Sequence, residues 1–232
     1  MALDNSNMPN MPDTTDALDN RLAAALQWDW GTAYEMLVSL YAIFRPKQYS
    51  LPAPWAAGVR KKLPAHAQRD LKGFFSPSYA YIAYMPLHLV WEMKGPKNAT
   101  GFIEFLEAIP DAEFMHRVRI RTLPNSRLEE VTSKALAGSK LTESDIEAYR
   151  RGVEQTQIAI APTAAEVRRL FSEVADPSDT KRRYVAALKE YEAAFFAQEE
   201  LRAGPALAAL ERKARTLAEN LSIPDLLERI TN

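Results

Sequence analysis

A chain of 232 residues with 29 Lys/Arg, 30 Asp/Glu and a net charge of −1 is long enough for one sizeable domain or two small ones. Its balanced charge creates no whole-molecule field to draw in nucleic acid or an anionic membrane, so any such contact needs a local patch. The absence of cysteine excludes disulfides, thiolate metal ligands and a Cys nucleophile, and it predicts a cytoplasmic location.

In chain order, residues 1–13 hold Pro, Asn and Asp without Lys or Arg and are expected to form a disordered acidic lead-in, neither secretion signal nor transit peptide. From there the fifteen prolines punctuate the chain, and apolar residues between them recur at three and four, which predicts helix almost throughout. A first short helix is expected over Thr14 to Leu26, then an apolar one over 32–44 closed by Pro46. Short helices fenced by Pro54, Pro64 and Pro77 follow over Trp55 to Lys62 and Ala65 to Phe75. An aromatic helix is predicted over 79–93, interrupted at Pro86. Beyond the GPKN loop come helices over Ala99–Ile109, Asp111–Thr122 and Asn125–Ala137, the last with Gly138 as its C-cap.

Thr142 with Asp145 and Thr163 with Glu166 have capping-box spacing. Between them TQIAIAP is the one short β-branched run, and residues 154–161 fit strand or helix. Asp179 to Arg202 has the pattern of a long charged amphipathic helix, with Tyr184, Leu188, Tyr191 and Phe195 on its apolar side. Gly204-Pro205 is expected to break it, before a helix over 206–221 and a last one opened by Ser222 and Pro224. No apolar run approaches the ~20 residues of a membrane span. The expected fold is all-α: an irregular multi-helix bundle over 14–138, a connecting segment over 139–162, and a long-helix C-terminal part over 163–232 suited to dimerisation.

Chemistry is sparse. No phosphate-binding glycine loop, H-E-x-x-H or G-x-S-x-G is present, and the three His, at 66, 88 and 116, lie far apart. Two clusters stand out. In AYEMLVSLYAIF, Glu35 and Ser39 are the polar residues of an apolar helix, about 40° apart around its axis. If they face inward, the carboxylate needs a cation, donors or a proton; if outward, Glu35 is a solvated or Arg-paired edge. In YAYIAYMPLHLVWEM, Tyr81, Tyr84, His88 and Trp91 form one stripe if the helix survives Pro86. That stripe suits either a core face or a mostly apolar pocket with polar points. Glu35, Ser39, Tyr81, Tyr84, His88 and Trp91 are therefore the candidate ligand-binding residues. No catalytic residue and no metal or other cofactor is assigned; His88 and Glu92 have metal-compatible spacing but no third ligand nearby. The basic window 45–72 carries seven Lys/Arg against one Asp, with Tyr49 and Trp55 interleaved. It fits a phosphate or nucleic-acid surface, or a solvated face and partner for the acidic N-terminus. A helix-turn-helix over SKALAGSKLTESDIEAYRR fails, because Lys134 and Ser144 occupy positions that need small and buried residues.

Two stretches carry a family resemblance. AYEMLVSLYAIFRPKQYSLPAPWAAGVRKKLPA resembles the start of the long N-terminal helical region of some bacterial ArsR-type transcriptional regulators, in which A-x-E-x-x-x-S-L precedes a proline and a P-W segment. The matching residues are Ala33, Glu35, Ser39, Leu40, Pro46, Pro54 and Trp55. LAENLSIPDLLERITN is similar to the helix that closes that region, while the middle of the chain matches in helical character alone. The resemblance implies a regulatory, ligand-sensing or dimerisation region that is not an enzyme, takes a small-molecule effector and forms a homodimer. It implies DNA contact only through a winged-helix part that this chain does not contain. The rivals are an enzyme with Glu35 as base and His88 as acid, and a purely structural helical interaction protein.

Overall fold

The structure, a computed structural model, describes residues 29–75, 86–119, 126–155, 162–219, 221–222, 225–226 and 228–229. The expected lead-in, the helix over Thr14 to Leu26, both Tyr81 and Tyr84, and residues 156–161 of the ambiguous run lie outside them. The fold is all-α, with no strand among the described residues.

The prolines do what their missing N–H groups and fixed φ dictate. Helix α1 (Thr32–Phe44) ends just before Pro46; α2 (Ala53–Lys62) follows Pro52, and α3 (Ala65–Phe74) follows Pro64. Helix α4 spans Pro86–Glu92 among the described residues. Helix α5 (Ala99–Ala108) is capped by Asn98, whose side chain accepts from the Gly101 N–H at 2.7 Å. The short α6 (Asp111–Phe114) runs into a π-helical turn, Met115–Arg119, and α7 (Ser126–Leu136) follows. Gly138 takes φ +68° and stops α7: its N–H bonds the Ala135 carbonyl and the Ser139 N–H that of Lys134, as a left-handed cap requires.

Helix α8 (Glu143–Gln155) lies within the expected connecting segment and packs on α7 and on α9 (Ala164–Ala175). Its start carries the Thr142–Asp145 box: the Asp145 N–H donates to the Thr142 hydroxyl, and the Asp145 carboxylate accepts from the Thr142 N–H and from Lys134 Nζ, 2.8 Å away. Those donors, Lys134 first and then Thr142, hold the Asp145 carboxyl down at about 2. A lowered folded-state pKa contributes stability above the unfolded value near 3.9, and the contribution is lost as pH falls through about 2. The stability gap between wild type and Asp145→Asn, measured by urea melts, is therefore expected to be constant above pH 5 and to close between pH 4 and pH 2. On α9 both halves of the Thr163–Glu166 capping box are present. Thr163→Ala is expected to cost about 1 kcal/mol in the same melts.

Helix α10 (Pro177–Tyr191) is the centre of the packing and touches α3, α5, α6 and α9. Its Tyr184 ring lies 5.0 Å from that of Phe74, 5.5 Å from Phe114 and 5.9 Å from Phe75. Tyr184, Leu188, Tyr191 and Phe195, the expected apolar side, are all buried. A second π-helical turn, Glu192–Phe196, leads into α11 (Ala197–Ala218). Here one expectation is corrected: α11 runs through Gly204-Pro205 without breaking. Pro205 removes the hydrogen bond to the Leu201 carbonyl, but Leu201 is 80% exposed, where water can satisfy that group. Gly204 has no Cβ to meet the proline ring, so it keeps helical geometry ahead of it. The dipeptide still marks a division. Gly31–Gly204 form one compact unit; the described residues from Pro205 onward, with Asp29 and Trp30, belong to a second. No helix among the described residues is long and apolar enough to cross a membrane.

Candidate functional site

The apolar helix that holds Glu35 and Ser39 sends them to different surroundings. Eight residues of α1 are buried, among them Met36, Leu37, Leu40, Tyr41 and Ile43. Glu35 is exposed, with no hydrogen bond or ion pair among the described residues, so its charge stays in water while its neighbours fill the core. Ser39 is half-buried; its hydroxyl donates to the Met36 carbonyl at 2.8 Å and shares a second 2.8 Å bond with the Tyr191 hydroxyl. Because Ser39 has one proton to give, Tyr191 is the donor of that pair. Burial pushes the Tyr191 hydroxyl well above its ordinary pKa, which keeps that proton in place.

On α4, His88 is half-buried and Trp91 is 48% exposed, with the Lys97 ammonium 5.5 Å from its ring centroid. Lys97 Nζ also donates to the Trp91 carbonyl at 3.0 Å. Glu92 forms an ion pair with Arg117, so the metal-compatible spacing of His88 and Glu92 is occupied on one side by a guanidinium. Residues Glu35, Ser39, His88 and Trp91 line none of the three described cavities.

The charged residues gather elsewhere. A groove of about 820 Å³ lies between α3 and α9, with walls completed by Phe44 at the end of α1, Pro46 just beyond it and Arg60 of α2. Helix α3 gives it Ala65, Gln68, Arg69, Lys72 and Gly73, at spacings that place them on one helix face; α9 gives Glu166 and Arg169. Four cations thus face one carboxylate. Glu166 is already engaged: its carboxylate accepts from the Thr163 N–H and hydroxyl at 2.8 Å each. Arg60 donates to the Ile43 carbonyl at the end of α1, where the helix dipole favours a cation. Arg169 Nε donates to the buried Glu173 carboxylate at 3.0 Å.

Arg69 and Lys72 have neither hydrogen bond nor ion pair among the described residues. The carboxylate between them in sequence, Asp70, turns to the other side of α3 and pairs with Arg183 of α10 at 3.0 Å. The folded chain thus removes from the basic window the one acid that would have neutralised it. Like charges three apart on a helix cost about 0.2–0.5 kcal/mol, a small standing penalty that an anion would remove.

The other two described cavities lack this imbalance. In the one of about 440 Å³, Lys181 pairs with Asp111, Lys189 with Glu107 and Arg182 with Asp179. The Ser178 hydroxyl and Lys181 both lower the Asp111 pKa. In the third, of about 350 Å³, Arg168 pairs with Glu143. Among the described cavities, uncompensated positive charge belongs to the α3–α9 groove.

Three of the groove's cations, Arg60, Arg69 and Lys72, come from the basic window of the sequence. Arg169 and Gly73 carry no sequence signal, since their juxtaposition depends on α3 and α9 meeting at the groove, about a hundred residues apart in the chain. No family model, curated protein or solved structure matches the chain.

Proposed function

We propose that this chain is a helical binding module that holds a small anionic ligand in the α3–α9 groove without transforming it. The observation that carries the reading is the pair Arg69 and Lys72, which face an open groove without an ion pair among the described residues. The groove's size falls within the range of small-molecule sites, about 300–1,000 Å³. Its lining offers cations and a carboxylate committed to a helix cap, a set suited to attraction rather than proton transfer. In the frame of the ArsR-type resemblance, the groove is the effector pocket of a regulatory region that acts as a homodimer and reaches DNA through a winged-helix part.

Thermal-shift measurements at low ionic strength test the reading. Compact oligoanions are expected to raise the melting temperature, and neutral compounds of similar size are not. A ligand present at a hundred times its Kd adds about 2.7 kcal/mol, enough for a shift of several degrees. A melting temperature indifferent to every anion at millimolar concentration would contradict it.

A further inference from the structure

We infer that the ligand is of the diphosphate class, that Arg169 is its preset fork, and that Gly73 is the positioning residue that lets the fork lie in place. The inference rests on the anion-binding reading above and narrows it to one chemistry.

The geometry begins with Glu173, whose side chain is 1% exposed and which takes the Nε–H of Arg169. That bond fixes the plane of the guanidinium. Its Nη1, Nη2 and Cζ then lie directly over Gly73 of α3, so closely that a Cβ on residue 73 would occupy their space. Gly73 stands in the last turn of α3, and its missing side chain makes room for the guanidinium. The side chain of Arg169 remains 37% exposed where it borders the groove. The result is a planar donor fork, oriented before any ligand arrives, beside Arg60, Arg69 and Lys72.

Such a fork matches two oxygens of one phosphate, and immobilising it in advance reduces the entropy lost on binding. Three further cations exceed what one phosphate can engage. Two adjacent phosphates supply both the charge and the oxygens, and they fit a concave site better than a nucleic-acid backbone or a membrane surface would. Phe44 and Pro46 on the same wall leave an apolar place for an organic group joined to them.

Isothermal titration of the full chain at low salt decides the matter with four probes: inorganic pyrophosphate, orthophosphate, citrate, and a nucleoside diphosphate. Pyrophosphate is expected to bind at least tenfold more tightly than orthophosphate or citrate. A nucleoside diphosphate binding still more tightly identifies an organic diphosphate as ligand; equal binding identifies the diphosphate alone. Citrate equal to or tighter than pyrophosphate overturns the phosphate class and leaves the anion reading standing. Binding of none of the four overturns both.

Gly73→Ala is expected to weaken pyrophosphate at least tenfold with unchanged far-UV circular dichroism, because the clash falls on the movable end of an arginine and alanine favours helix. Arg169→Lys keeps the charge, loses the fork, and is expected to weaken binding at least fivefold. In the Arg169→Lys background, adding Gly73→Ala should change affinity less than twofold. A full tenfold further loss there, or wild-type affinity in Arg169→Lys, overturns the positioning role.

Discussion

Reversing Arg69 and Lys72 together, as Arg69→Glu with Lys72→Glu, is expected to lower oligoanion affinity at least a hundredfold while the protein stays folded. Hydrogen bonds to charged groups contribute about 1.5–3 kcal/mol each, and a hundredfold corresponds to about 2.7 kcal/mol, so the loss of two such contacts suffices. Both side chains are exposed and unpaired among the described residues, so their replacement removes no native hydrogen bond or ion pair there. It replaces one like-charge pair on α3 by another and sets the new carboxylates beside Arg60 and Arg169 of the groove, so the melting temperature without ligand should change little. Asp70, bonded to Arg183 on the other side of α3, should be unaffected. In the wild type, affinity should also fall steeply as salt rises from 20 to 200 mM, roughly the range over which screening of exposed charges takes hold. Retention of wild-type affinity in the double variant would move the site away from this groove.

Tyr184→Ala is expected to cost about 3–5 kcal/mol in urea-melt stability, the range for deleting a buried aromatic ring. Tyr184 is 2% exposed and its ring touches those of Phe74, Phe75 and Phe114, which belong to α3, the residue after it, and α6. Against a typical total of 5–15 kcal/mol, such a loss leaves the chain near its folding threshold. Helix α3 carries Phe74 on its core side and Arg69 and Lys72 on its groove side. Anion binding in the variant should therefore fail only in proportion to the unfolded fraction. A loss below about 1 kcal/mol would mean that α10 is not the packing centre described above.

Much of this architecture could be read from the chain because proline, glycine and short polar side chains act locally. Pro46 and Pro64 bound their helices whatever surrounds them, Gly138 takes the left-handed turn that its missing Cβ permits, and Thr163 with Glu166 forms its cap from nearby residues, whereas Pro54, expected to precede its helix, sits within the first turn of α2, where a missing N–H costs nothing. The spacing of Tyr184, Leu188, Tyr191 and Phe195 marked the buried side of α10 and of the π-helical turn after it for the same reason. Gly204-Pro205 misled, because the pairing that normally breaks a helix also combines the residue best able to precede a proline with an exposed site for the lost hydrogen bond. The two π-helical turns leave no mark in local pattern.

The groove was only half legible. A net-positive window reads equally well as a solvated face until it is known where Asp70 goes, and that depends on Arg183, far along the chain. The contact of Arg169 with Gly73 is likewise a consequence of helix packing. Glu35 shows the converse: an isolated carboxylate on an apolar helix attracts notice in sequence, yet it sits exposed in water.

The most direct test is an amide-resolved NMR titration of the 26.1 kDa chain with pyrophosphate. The binding account expects saturable shifts concentrated on the amides of 65–73 and 166–169, with the Arg169 Nε–H among the largest. Shifts that fail to saturate, or that centre on α4 or α11 while those two stretches stay still, would contradict it.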